Sequence, residues 1–327
     1  MKFCSFLCVF CVFAALCFAA DDEDLKFKKP LLGYVHDVEA KQIRPIAGAP
    51  GAALAGLGLS ISDVAAVAIS STRGLAIASV PGDEQLRVIR LSDGETQTTL
   101  ESATGPFEKA AFSPSARALI LYNSGCRCVQ IVTGLEGTPH VERTTSIADD
   151  GLAVQSIALS DDAAWFAIGK RTDDVTQLSL FRAGEDEPVR VFAMDAAALA
   201  FSGNGNDLAV ADEARRGLAI LSNVATSAEI TDLVAWNEGF RYPAAVAFHG
   251  GYVLVADAAA GIHLVNKETR EVETIPCACK PSNLERTLQD GVFGITQINS
   301  GSAWVLQLNE ATRKTMFVPV ERVEVAQ

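Results

Sequence analysis

Four cysteines beyond the first twenty residues stand as two Cys-x-Cys pairs, Cys126 with Cys128 and Cys277 with Cys279. Thiols at this spacing can close on each other, ligate a metal together, or pack as small apolar side chains. In an exported chain disulfides are favoured, and a disulfide requires Cα atoms within about 7 Å. Each pair is therefore expected to close on itself. Four unpaired small residues are one alternative, and a four-thiolate zinc site, which needs both pairs to converge, is the other.

The histidines His36, His140, His249 and His263 show no His-Glu-x-x-His spacing, and no Gly-x-Ser-x-Gly elbow marks a nucleophile. A Ser-His-Asp constellation drawn from distant loops would leave no local trace, so each histidine reads as a surface or turn residue. Asp212 and Asp257 follow similar apolar segments, Leu208–Ala211 and Val253–Ala256. An Asp at such a place caps a turn by accepting backbone N–H bonds, and gathering around a metal is the alternative. Asp161-Asp162 and Asp173-Asp174 lack the alternating oxygen ligands of a calcium loop and read as solvated turns. The Gly-rich stretch Gly48–Gly58 carries neither the phosphate-loop Lys nor the dinucleotide fingerprint; it reads as a connector, with lining of a central opening as the alternative.

The elements that position these groups begin after a targeting segment. Lys2 precedes an uncharged, almost wholly apolar run from Phe3 to Ala20, and Asp21, Asp22, Glu23 and Asp24 follow. This is the pattern of a secretory signal peptide cleaved after Ala19 or Ala20. An uncleaved anchor over residues 3–20 and a lipoprotein signal are the alternatives. Residues 21–30 read as a linker. The chain is 327 residues long with a formal charge of −13, and loss of Lys2 takes it to −14. Without a concentrated basic patch, nucleic acid is excluded as a partner.

From residue 31 onward the chain repeats itself. Val67-Ala-Ile-Ser70, Ala110-Ala-Phe-Ser113, Ile157-Ala-Leu-Ser160, Leu199-Ala-Phe-Ser202 and Val246-Ala-Phe-His249 share one form, and a degenerate sixth copy ends at Leu288-Gln289. The spacing is about 44 residues, the period of a four-stranded propeller blade. A turn and a second short strand follow each copy, as in Gly203–Asp207 before Leu208–Ala211. Further strands such as Leu178–Phe181 and Ile262–Val265 then supply a second hairpin. Leu32–Val35 and Gln42–Ile46 read as an outer hairpin with no inner hairpin before it, to be joined by C-terminal strands from Thr315 to Val325. Seven four-stranded blades over residues 31–327 are expected, with six as the alternative count.

The segments "AFS, turn, LAVAD, spacer, GLAIL" at 200–221 and "AFH, GG, YVLVAD, AAA, GIHLV" at 247–265 resemble the YVTN and WD-type bacterial β-propeller repeats. No copy carries the Trp-Asp dipeptide or the Gly-His pair of the strict WD repeat. The resemblance implies an all-β, single-domain propeller, a fold that hosts binding proteins and enzymes alike. With no catalytic constellation visible, the expected function is a binding or scaffold module. It would be secreted or periplasmic, recognise a protein, peptide or glycan, carry no cofactor, stay off membranes beyond its signal segment, and act as a monomer. The alternative is a lactonase-like hydrolase with a metal held in the central channel.

Overall fold

The computed structural model describes residues 30–92, 94, 97–234, 240–299, 301–309 and 312–321. The expected signal peptide and nearly all of the linker lie outside the described residues. From Leu31 onward seven antiparallel sheets follow one another along the chain. They span residues 31–55, 66–99, 109–146, 153–192, 196–234, 243–275 and 285–319, taken here as blades 1 to 7. Blades 2 to 7 have four strands each. Blade 1 has three, and on the far side of its third strand Val320 makes a parallel bridge to Ala55. The count of seven replaces the alternative of six.

The repeated Ser owes its place to the turn that follows it. The backbone N–H of Ser113, Ser160 and Ser202 donates to the carbonyl five residues on, at Ala118, Trp165 and Asp207. Each Ser hydroxyl in turn accepts from the backbone N–H of that same residue. One side chain therefore satisfies a donor that the tight hairpin would otherwise leave open. The backbone of Thr287 donates to Val292 in the same way, so the degenerate copy is Leu284-Glu-Arg-Thr287, and its last residue is Thr287 rather than Gln289.

Between blades the side chains interleave into seven apolar clusters, one at each seam. Ile120 and Val129 of blade 3 meet Phe166 and Ile168 of blade 4, and Val305, Met316 and Val318 of blade 7 meet Leu32, Ile46 and Ala55 of blade 1. The last of these closes the ring. Closure also corrects the reading of the N-terminal hairpin. Leu31–Asp37 is the inner strand of blade 1, buried from Leu32 to Asp37, because it lies between its neighbour blades and the axis. Thr312–Pro319 is the fourth strand of blade 7, paired with Ser302–Asn309; of the expected C-terminal contribution to blade 1, the bridge at Val320 remains, and residues 322–325 lie outside the described residues. The Gly-rich stretch supplies Leu54–Ala55, the third strand of blade 1, and so lies away from the central opening.

Candidate functional site

The first strands of all seven blades converge on an axial channel of about 710 Å³. One position of each inner strand is kept small in blades 2 to 6, because strands can crowd an axis only where side chains are short. The second residue of the repeated tetrad is Ala68, Ala111, Ala158, Ala200 and Ala247 in blades 2 to 6. In blades 4, 5 and 6 the pairing of the first two strands shifts by one residue near its start. The residues left over are Gln155, Ala197 and Ala244, and all three border the channel. A bulge re-aims a side chain without ending the ladder, so three consecutive blades present extra residues at the end where the inner strands begin.

Blade 7 breaks the small-residue rule. Glu285 stands where the other repeats have Ala. It pairs across the ladder with Gly294, where the equivalent partners are Ile77, Ile120, Ala167, Ala209 and Leu254. Side chains of cross-strand partners lie side by side on one face of a sheet, so the missing side chain at Gly294 leaves room beside Glu285. A Cβ built on Gly294 would meet nothing nearer than Glu285 O at 3.9 Å. Asn283 Nδ2 donates to Glu285 Oε2 at 3.4 Å, while Oε1 is buried and has no hydrogen-bond partner. Burial pushes the carboxyl up to about 8, against the weaker downward pull of Asn283. The unexplained carboxyl, the open space and the channel coincide.

Two of the four histidines depart from the surface reading. His36 and His263 are buried, and burial lowers both in pKa despite the acidic neighbours Asp37 and Asp257. His36 Nε2 lies 3.4 Å from Val64 O. His263 has Nδ1 2.9 Å from Thr274 Oγ1 and Nε2 3.7 Å from Asp257 Oδ2, with its ring against Phe240. The sequence separation of eleven and six residues hid this row. It tethers the third and fourth strands of blade 6, and Thr274 borders no part of the channel. His140 lies by Thr138 O, and His249 packs edge-on against Phe293.

Asp257 accepts from the backbone N–H of Arg241, Tyr242 and Ala259. Burial opposes its ionisation, yet these donors together with His263 hold it below the ordinary value. Asp212 accepts from Arg215 and Asp195 N–H, and burial raises it. Both carboxylates cap turns. Asp162 likewise accepts from Ser160 Oγ and Ala164 N–H. Among the described residues no three His, Cys, Asp or Glu side chains come together as metal ligands.

Cys126 and Cys128 are joined as a disulfide across the turn into the third strand of blade 3, with Cα atoms 5.2 Å apart. Cys277 and Cys279 are joined just beyond the fourth strand of blade 6, with Cα atoms 5.0 Å apart. Strand alternation puts both at the end of the ring where the inner strands begin, three blades apart.

No family model and no curated protein matches the chain. Among solved structures, a functionally unknown protein from Desulfotomaculum acetoxidans DSM 771 aligns over 89% of this chain and 100% of its own, at 14% identity and a TM-score of 0.59. A chain in the crystal structure of a nidogen/laminin complex aligns over 74% of this chain and 91% of its own, at 15% identity and a TM-score of 0.50. Likeness at such identities concerns architecture, and on that evidence, with the seven sheets and seven seams, the chain is a seven-bladed β-propeller.

Proposed function

We propose that this chain is an exported binding module that receives a protein, peptide or glycan partner at the mouth of its axial channel. The observation that carries the reading is the channel itself: all seven blades border it, and three bulges place extra residues along it. A pocket with a few placed polar groups in a largely apolar wall suits recognition. Export rests on the apolar run Phe3–Ala20 behind Lys2, and two local disulfides fit an oxidising compartment. The tetrads at 199–202 and 246–249 support a finer grouping with YVTN and WD-type bacterial propellers.

The test is a screen of the secreted protein against peptide and glycan arrays, repeated with Ala244→Trp. Ala244 is an exposed bulge residue at the channel, so the indole obstructs the mouth without entering a seam. Partners that bind the wild type and lose at least tenfold in affinity for the variant, at an unchanged Tm, uphold the reading. Partners bound equally by both refute the channel as the site.

A further inference from the structure

The charged and titratable groups along the channel are Glu285, Glu108, Lys109, Arg286, His36 and Tyr34, whose hydroxyl donates to Leu91 O. Each has an account except Glu285 and Lys109. Arg286 donates to Phe248 O in blade 6, Glu108 takes the backbone N–H and hydroxyl of Ser124, and His36 sits by Val64 O. Lys109, on the inner strand of blade 3, makes no ion pair with Glu285 and does not enter the balance of forces on that carboxyl. Glu285 thus lies in the wall of the ring with one oxygen unpaired, beside the room left by the missing side chain of Gly294.

A carboxyl with one oxygen buried and unpaired is costly to ionise, and an entering cation that hydrogen-bonds to that oxygen recovers part of the cost. The space matters as much as the charge. Ile or Leu fills the corresponding position in blades 2, 3 and 6, whereas Gly294 leaves it open and itself borders the channel, so an aliphatic stem has room there. The protein also carries a formal charge of −13, which raises the local concentration of basic ligands and speeds their approach.

We propose that Glu285, Asn283 and the space over Gly294 form a subsite for the protonated amine of a lysine side chain in a peptide partner. This rests on the binding reading above and names its ligand class. On binding, the ammonium keeps its protons and bonds to the carboxylate, while the proton that burial held on Glu285 leaves to solvent. Binding is therefore coupled to proton release: a carboxyl at about 8 gives up about nine-tenths of a proton per event at pH 7. A glycan hydroxyl meeting the same carboxyl would release none.

The experiment is calorimetry at pH 7 in two buffers of different ionisation enthalpy, using acetyl-Gly-Lys-Gly-amide and the isostere acetyl-Gly-norleucine-Gly-amide as probes. The lysine peptide is expected to bind with proton release close to that figure, and the norleucine peptide to bind at least tenfold more weakly. Glu285→Gln removes the charge, and Gly294→Leu, copying Leu254 of blade 6, fills the space while keeping the carboxyl. Both should weaken the lysine peptide at least tenfold. Absence of wild-type binding at millimolar peptide, binding without proton release, equal binding of the norleucine peptide, or indifference to Glu285→Gln each overturns the inference. A partner from the array screen that is lost on Ala244→Trp yet binds the Glu285→Gln protein normally preserves the channel reading and overturns only the lysine subsite.

Discussion

Replacing Glu285 by Gln should stabilise the protein, and by an amount that grows with pH. In the unfolded chain the carboxyl ionises near its ordinary value of 4.5, whereas in the folded chain burial holds the proton until about pH 8. Below pH 4.5 both states are protonated and the carboxyl and the amide differ little. Between these values each pH unit favours the unfolded wild type by about 1.4 kcal/mol, because only the unfolded state releases its proton. At pH 7 this reaches about 3.4 kcal/mol, and above pH 8 it levels off near 5 kcal/mol. Water in the neighbouring channel relieves part of the burial, so about half of each figure is the expected gain. For a domain of this size about 2 °C accompanies each kcal/mol, which puts the rise in Tm at about 3 °C at pH 7 and near zero at pH 4.5. Thermal denaturation of both proteins from pH 4.5 to pH 8.5 measures the divergence. Parallel curves would refute the reasoning and show that Glu285 is ionised and solvated in the folded protein.

Asp257→Ala strands the backbone N–H groups of Arg241, Tyr242 and Ala259 and should cost about 2–4 kcal/mol in urea unfolding, with Asp257→Asn losing less because one acceptor oxygen remains; a loss under 0.5 kcal/mol for the alanine would overturn its role as a cap. Ala163 holds φ at +54° in the hairpin where blade 5 has Gly205 at +71°, so Ala163→Gly should raise stability by about 0.5–1 kcal/mol, and a destabilised variant would contradict that account of the turn. Alkylation of the unreduced secreted protein should label no cysteine, while reduction should expose Cys126, Cys128, Cys277 and Cys279; four labelled thiols before reduction would sink the local cross-links.

The six copies of the inner-strand tetrad carried most of the architecture, since Ala, a large apolar residue and Ser each answer a separate demand of crowding, packing and turn chemistry. Blade 1 has the same strand with other solutions. Tyr34 sends its hydroxyl to Leu91 O, and Asp37 is held by Arg44, so nothing in Tyr34-Val-His-Asp37 resembles the repeat. An inner and an outer hairpin then look alike, and only burial along the whole strand separates them. Glu285 was hidden for the complementary reason. The copy at 284–287 departs at three of four positions, and the departure that matters shows only once Thr287 is aligned with Ser202 by its hydrogen bond to the fifth residue on. The bulges at Gln155, Ala197 and Ala244 are properties of the ladder between strands, which a single strand's composition does not express. The row through Thr274, His263 and Asp257 joins three strands and is equally silent in the linear chain.

A ring of seven similar blades offers a ligand on its axis seven nearly equivalent ways to sit, each rotated by one blade from the next. The acid on the inner strand of blade 7 and the bulges of blades 4 to 6 remove that degeneracy. They give the channel a bearing, as a keyway gives one to a shaft, so a partner that engages Glu285 must present its remaining surface to the same loops every time. Stereospecific recognition then needs no asymmetry in the rest of the ring, and moving the whole subsite to another blade, as in Ala198→Asn, Ala200→Glu and Ala209→Gly with Glu285→Ala, would turn the docked partner about the axis.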